Sequence, residues 1–202
     1  SVLYLTGKIR KLGRVDHKDA YLDNFQMERD RGITIFSKQA VFEYKDMEVT
    51  LLDTPGHVDF STEMERTLQV LDYAVLLVSA SDGIQGHTET LWKLLARYQI
   101  PTFIFVNKMD MPNVSGDFVL HELKEKFGDN IVRFQGDVGI LEDIAMTDEN
   151  VLEEYMETGN ISQETITELI FGRKLFPCYF GAALKLEGVE DLLEGICKYT
   201  FE

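Results

Sequence analysis

Val49-Thr50-Leu51-Leu52-Asp53-Thr54-Pro55-Gly56-His57 is the stretch from which the rest of the chain can be read. An apolar run ends in an acid, a proline and a glycine, so a buried strand delivers a tight loop at its carboxyl end. A second unit of the same kind lies downstream, where Phe103-Ile104-Phe105-Val106 leads into Asn107-Lys108-Met109-Asp110. The first loop offers a carboxylate and a glycine that lets backbone approach a phosphate and its magnesium. The second offers an amide and a carboxylate, which suit the edge of a guanine. Together they read as a guanine-nucleotide site.

Bulk properties agree with a single well-cored domain. The chain has 202 residues, of which 45% are hydrophobic, and a formal net charge of -15. So negative a surface argues against DNA and against any broad grip on nucleic acid, because phosphate neutralisation needs clustered cations. Lys8, Arg10, Lys11 and Arg14 precede the first acid, Asp16, so an RNA contact would be local and near the amino end. Two cysteines, Cys178 and Cys197, are too few for a disulfide framework and read as small apolar residues in a reducing cytosol. No apolar run reaches the roughly 18 residues a membrane span needs, so no membrane partner is expected.

Periodicity gives the elements. Residues 1–12 read as the end of a helix or a short strand, and 13–32 as a mobile polar loop. Strands are expected at 33–44, 48–53, 73–78, 101–106 and 176–180. The run at 73–78 is continuously apolar and fits a strand covered on both faces. Helices are expected at 60–71, 88–98, 114–127 and 188–199. Residues 129–174 form an acidic insert between the last two sheet strands, with helices around 150–155 and 163–170. Alternation of strand and helix predicts an α/β fold with a mostly parallel sheet and helices on both faces. Ligands bind such sheets beyond the carboxyl ends of the strands, where Asp53, Asn107 and Gly181 fall.

Each loop has a chemistry. Asp53 suits magnesium, which takes one or two carboxylates and keeps much of its water. Thr54 and Pro55 fix the turn, and the Gly56 N–H faces a terminal phosphate. His57 is placed to orient an attacking water, whereas His17, His87 and His121 lack such neighbours. In Arg31-Gly32-Ile33-Thr34-Ile35, the Thr34 hydroxyl can ligate magnesium and its N–H can bond the terminal phosphate. Loss of that phosphate would release the loop. Asp110 can accept from both the ring N–H and the exocyclic amine of guanine, a donor pair that adenine lacks. Asn107 and Met109 complete that loop, and Lys108 lays its stem along the base with its ammonium in water. Phe180-Gly181-Ala182-Ala183-Leu184-Lys185 closes the last strand, and backbone N–H groups of Gly181, Ala182 and Ala183 can meet the guanine oxygen.

These motifs, in this order, resemble the GTP-binding domain of translational GTPases. The similarity runs through Leu22-Asp23-Asn24, Glu28 to Thr34 and Gly56-His57-Val58-Asp59-Phe60, and it covers nearly all of 1–202, least well over 129–174. Within that group the chain looks like the elongation factor G branch, and most like the tetracycline-resistance-type ribosomal protection proteins. The resemblance implies a cytoplasmic protein that uses GTP and Mg2+ and has the ribosome, its rRNA and proteins, as partner of the full-length parent. It implies that Thr34 ligates magnesium with Asp53 in the outer shell, that Gly56 contacts the terminal phosphate, that His57 positions water screened by Ile33, and that Asn107, Lys108 and Asp110 read guanine.

Two departures stand out. Ala182 occupies the place of a usual serine, and a modest loss of loop order is expected there. No Gly-x-x-x-x-Gly-Lys-Ser/Thr phosphate loop is present, and Thr6-Gly7-Lys8-Ile9 only echoes one. By resemblance Ser1 aligns inside the helix after that loop, so the first strand and the phosphate cradle are missing. Unpaired edges should then flank the gap, unless Val2 to Leu5 fills it as a strand. The domain is therefore read as a GTP-binding domain partial at its amino end. Three functions stay open: a ribosome-stimulated GTPase domain within the parent, a non-catalytic fragment or interaction module, and, ranked below these, a non-ribosomal GTPase.

Overall fold

In a computed structural model of the chain, residues 1–10, 38–54, 61–136 and 139–201 are described. Helix α1 (Val2–Leu5) opens the chain and is followed by a hairpin of β1 (Lys38–Tyr44) and β2 (Met47–Asp53). Then come α2 (Ser61–Leu68), β3 (Ala74–Ser79), α3 (Gly86–Arg97), β4 (Thr102–Asn107), α4 (Gly116–Phe127) and β5 (Ile131–Arg133). Helices α5 (Ile140–Ala145), α6 (Glu149–Thr158) and α7 (Gln163–Phe171), strand β6 (Phe176–Phe180), a 3-10 turn (Ala183–Lys185) and α8 (Val189–Tyr199) complete it.

The main sheet has the order β3-β4-β6-β5, and every pairing in it is parallel. Strand β4 lies inside it and shows why. Phe103, Ile104, Phe105 and Val106 are each 2% exposed or less. Successive side chains point to opposite faces. Ile104 and Val106 therefore enter a layer with Met64 and Leu68 of α2, Leu95 of α3, and Val119 and Leu123 of α4. Phe103 and Phe105 enter the other layer, with Ile144 of α5, Val151 of α6, Ile166 and Ile170 of α7, and Leu192 of α8. Burying each such side chain stabilises the fold by about 1.5–3 kcal/mol. The expected α/β architecture with helices on both faces is what these two layers form.

Four expectations need correction. The hairpin does not join the parallel sheet: β1 and β2 pair antiparallel with each other, from Lys38 opposite Asp53 to Tyr44 opposite Met47. Among the described residues no strand bridges β2 and β3. Val2 to Leu5 does not fill that gap; it forms a helical turn whose Leu3 packs with Ala40, Phe42 and Leu193. Strand β3 is not covered on both faces. Val75 and Leu77 are exposed, because the described helices cover only the face that holds Leu76 and Val78. Finally, residues 129–174 contribute a sheet strand, β5, and three helices rather than helices alone. A three-residue strand is too short to show a period of two in sequence.

The hairpin is fastened to α8. Lys45 pairs with Glu194 at 2.8 Å, the Cys197 thiol donates to the Tyr44 carbonyl, and the Thr200 hydroxyl meets Met47 Sδ. The hairpin tip thus lies on the carboxyl half of α8, and Asp53 stands at the end of the hairpin remote from it.

Candidate functional site

Loops from the carboxyl ends of β3, β4 and β6 meet. Asn107 is the last residue of β4, and its side-chain oxygen accepts the Ala183 N–H at 2.9 Å. Its carbonyl accepts the Ala80 N–H from the β3 loop at 2.9 Å. The Met109 N–H donates to the Gly181 carbonyl at 3.1 Å. The Met109 side chain turns into the core, and its Cε lies against Gly116, so Met109 anchors the loop from below.

Lys108 sits between these anchors with φ 65°. A left-handed conformation in a residue with a side chain costs on the order of 1–3 kcal/mol and persists only where its surroundings impose it. Here the flanking bonds of Asn107 and Met109 impose it. The lysine ammonium reaches Asp82 Oδ2 at 3.4 Å. A bond from the Ser79 hydroxyl first, then the Lys108 charge and the Ser81 hydroxyl, hold the Asp82 carboxyl below its ordinary range. At the far end of the loop, Asp110 Oδ2 is 3.2 Å from Lys185 Nζ.

The β6 loop is drawn tight by two glycines. A Cβ on Gly181 would lie 2.1 Å from the Glu187 carbonyl oxygen, and one on Gly188, at φ 72°, would lie 2.3 Å from the Phe180 oxygen. Ala182 is buried, with its N–H on the Glu187 oxygen. The Gly181 N–H donates to the Val106 oxygen and the Ala183 N–H to Asn107, so, contrary to expectation, all three N–H groups expected to meet the guanine oxygen already have partners within the protein. An alanine in place of serine leaves this loop well tied.

A cavity of about 210 Å³ opens beside Asn107, and Ser79, Asp82, Gln85, His87 and Thr88 also line it. Of the other sequence-derived site residues, Asp53 closes β2 and Thr54 follows it. Thr34, Pro55, Gly56 and His57 lie outside the described residues. Sequence reasoning set His87 aside and gave no role to Asp82 or Lys185. Ser81-Asp82-Gly83 carried a turn signal after a strand that could have flagged Asp82. Nothing local marked Lys185, whose partner is distant in sequence.

Known proteins resemble this chain in sequence and in fold. The elongation factor Tu GTP-binding domain family matches residues 1–202. The tetracycline resistance protein TetP of Clostridium perfringens is 39% identical over 98% of this chain and 34% of its own length. The tetracycline resistance protein TetO of Campylobacter jejuni is 37% identical over 97% of this chain and 33% of its own. The chain thus spans about a third of the length of these curated relatives. A crystal structure of a protein from Thermus thermophilus shares the fold, with a TM-score of 0.85 at 24% identity over 98% of this chain and 37% of that one. Tight loops ending parallel strands, an Asn-Lys-Met-Asp turn held from two sides and a family match along the whole length lead to one conclusion: the chain belongs to the elongation factor Tu GTP-binding domain family.

Proposed function

We propose that the base of GTP is read by the Asn107–Asp110 turn and the loop at 181–185, and that the full-length protein hydrolyses GTP when stimulated by the ribosome in the cytoplasm. The observation that carries this reading is the bond from the Ala183 N–H to Asn107, which makes one recognition surface from two loops. Asp110 supplies the acceptor pair for the ring N–H and the 2-amino group. Lys108 flanks the base with its stem. The match to the elongation factor Tu GTP-binding domain family supports a setting in translation.

Magnesium is the metal proposed to accompany the phosphates. Among the described residues no three His, Cys, Asp or Glu side chains cluster into a metal cage. Magnesium does not need one: it binds through one or two carboxylates together with phosphate oxygens and water. Asp53, at the end of β2, and Thr34 are the residues proposed to hold it. When bound, the ion would neutralise phosphate charge. Gly56 and His57 are proposed to contact the terminal phosphate and to orient water.

Exchanging Asp110→Asn in the full-length protein tests the base reader. An amide presents a donor where guanine also has one, and xanthine offers an oxygen instead. Preference should therefore move from GTP toward XTP; an unchanged preference would overturn the assignment. The split sheet favours a second reading, in which the 202 residues alone form an interaction module. Calorimetric titration of the chain with GTP and magnesium separates the two, since micromolar binding excludes the module reading.

A further inference from the structure

The 3-10 turn Ala183–Lys185 touches the Asn107–Asp110 turn twice. Its first residue donates a backbone N–H to Asn107 at 2.9 Å, and its last brings an ammonium to Asp110 at 3.2 Å. The lysine backbone is itself fixed: its N–H donates to the Ala182 oxygen, and Leu186 follows in a left-handed conformation at φ 65°. The Lys185 side chain is 56% exposed and that of Asp110 21%, so the pair lies at the rim with the carboxylate as the more enclosed partner.

We infer that Lys185 is a specificity-determining positioning residue for guanine, acting through Asp110. This rests on the reading of Asp110 as the base acceptor. The Lys185 ammonium lies 3.2 Å from Oδ2 as an ion pair, and a carboxylate has about four acceptor positions, so both oxygens remain able to accept from a ligand. Guanine presents two donors on neighbouring atoms, N1–H and the 2-amino group. Meeting both needs the carboxylate plane fixed, yet χ2 of aspartate is intrinsically broad. An ammonium tethered to the same turn that holds Asn107 removes that freedom. The 2-amino group, the only feature that separates guanine from hypoxanthine, gains most from a fixed plane. An exposed ion pair contributes little to folding, so the effect of Lys185 should appear in discrimination rather than in stability.

The test compares GDP, IDP and ADP binding to the full-length protein and to its Lys185→Met and Lys185→Arg variants by fluorescence competition. In the unaltered protein, GDP should displace the probe well before ADP; if it does not, the guanine reading itself falls and this inference with it. With that reading standing, Lys185→Met should weaken GDP about fivefold to tenfold, of the size of one oriented hydrogen bond, and IDP less than about twofold. Lys185→Arg should restore the GDP to IDP ratio, since a guanidinium also pairs with a carboxylate. Equal losses for GDP and IDP would make the role structural and overturn the inference. So would tighter GDP binding by Lys185→Met, which would make the pair a competitor of the ligand.

Discussion

The Ala183 N–H and the Asn107 side-chain oxygen lie 2.9 Å apart across 76 residues of sequence. That bond locks the β4 and β6 loops into one surface. The strand pairing beneath it, Val106 opposite Phe180, brings the two loops within reach, and the side chain fixes their final spacing.

Removing the acceptor should separate the loops. Asn107→Ala leaves a half-buried N–H without its partner and should cost about 1–3 kcal/mol. Asn107→Asp keeps an acceptor and should cost clearly less. Urea unfolding midpoints decide between them. Equal midpoints for the two variants would show that the bond does not couple the loops.

Gly181 should tolerate no side chain. Its Cβ would meet the Glu187 carbonyl at 2.1 Å and the Phe105 ring at 2.9 Å, both on rigid neighbours. Gly181→Ala should destabilise by about 1–3 kcal/mol or more, as overpacking does. Gly128→Ala is the control, since nothing lies within 4 Å of its Cβ and only its φ of 113° resists the change. Thermal melts should rank Gly181→Ala below Gly128→Ala; the reverse order would mean that the loop yields.

Acid should loosen the 139–174 segment through Asp148. This residue caps α6 by accepting from Asn150 and pairs with Lys174 at 2.8 Å. The Lys174 bond first, with the Asn150 N–H, holds its carboxyl below the ordinary range despite some desolvation. A carboxyl lowered on folding contributes fully above its unfolded pKa, about 3.9, and the contribution is lost as pH falls through the lower folded value. Asp148→Ala should cost about 0.5–2 kcal/mol at neutral pH and flatten the loss of stability below about pH 4. Chemical denaturation between neutral and acid pH measures both, and parallel curves for variant and parent would refute the assignment.

The two cysteines should differ in reactivity. Cys178 is fully buried in β6, and burial pushes its thiol up to about 12. Cys197 is half-buried and its thiol is raised too, first by desolvation. The thiolate is the reactive species. A disulfide reagent at about pH 8, near the ordinary thiol pKa, should therefore label Cys197 slowly and Cys178 only after unfolding. Native labelling of Cys178 at the rate of Cys197 would show that β6 opens.

Much of the fold was legible because apolar periodicity is strong where burial is complete. Phe176 to Phe180 matched its expected bounds, and α4 ended before Gly128, as the glycine required. The reading weakened where burial depends on partners far away. Val75 and Leu77 look like core residues in sequence and are exposed, because a strand's cover comes from other segments. Strand β5 was unreadable because three residues show no period, and its place beside β6 is set by pairing and by the burial of Ile131 and Val132 in the two core layers. Asn107, Lys108 and Asp110 were read from their order alone as the residues proposed to face the base. Asp82 and Lys185, the partners of Lys108 and Asp110, were not.

Residue order alone sets the chemistry offered to a nucleotide: an acid closing one strand, an amide and a carboxylate closing another, and small residues closing a third. Those properties belong to residue type and local neighbours, which the chain states directly. Folding in three dimensions settles which charge faces which, that the hairpin pairs apart from the main sheet, and that the β6 turn grips the Asn107–Asp110 loop at both ends. Those outcomes depend on contacts between segments far apart in the chain, which backbone pairing and core packing set together.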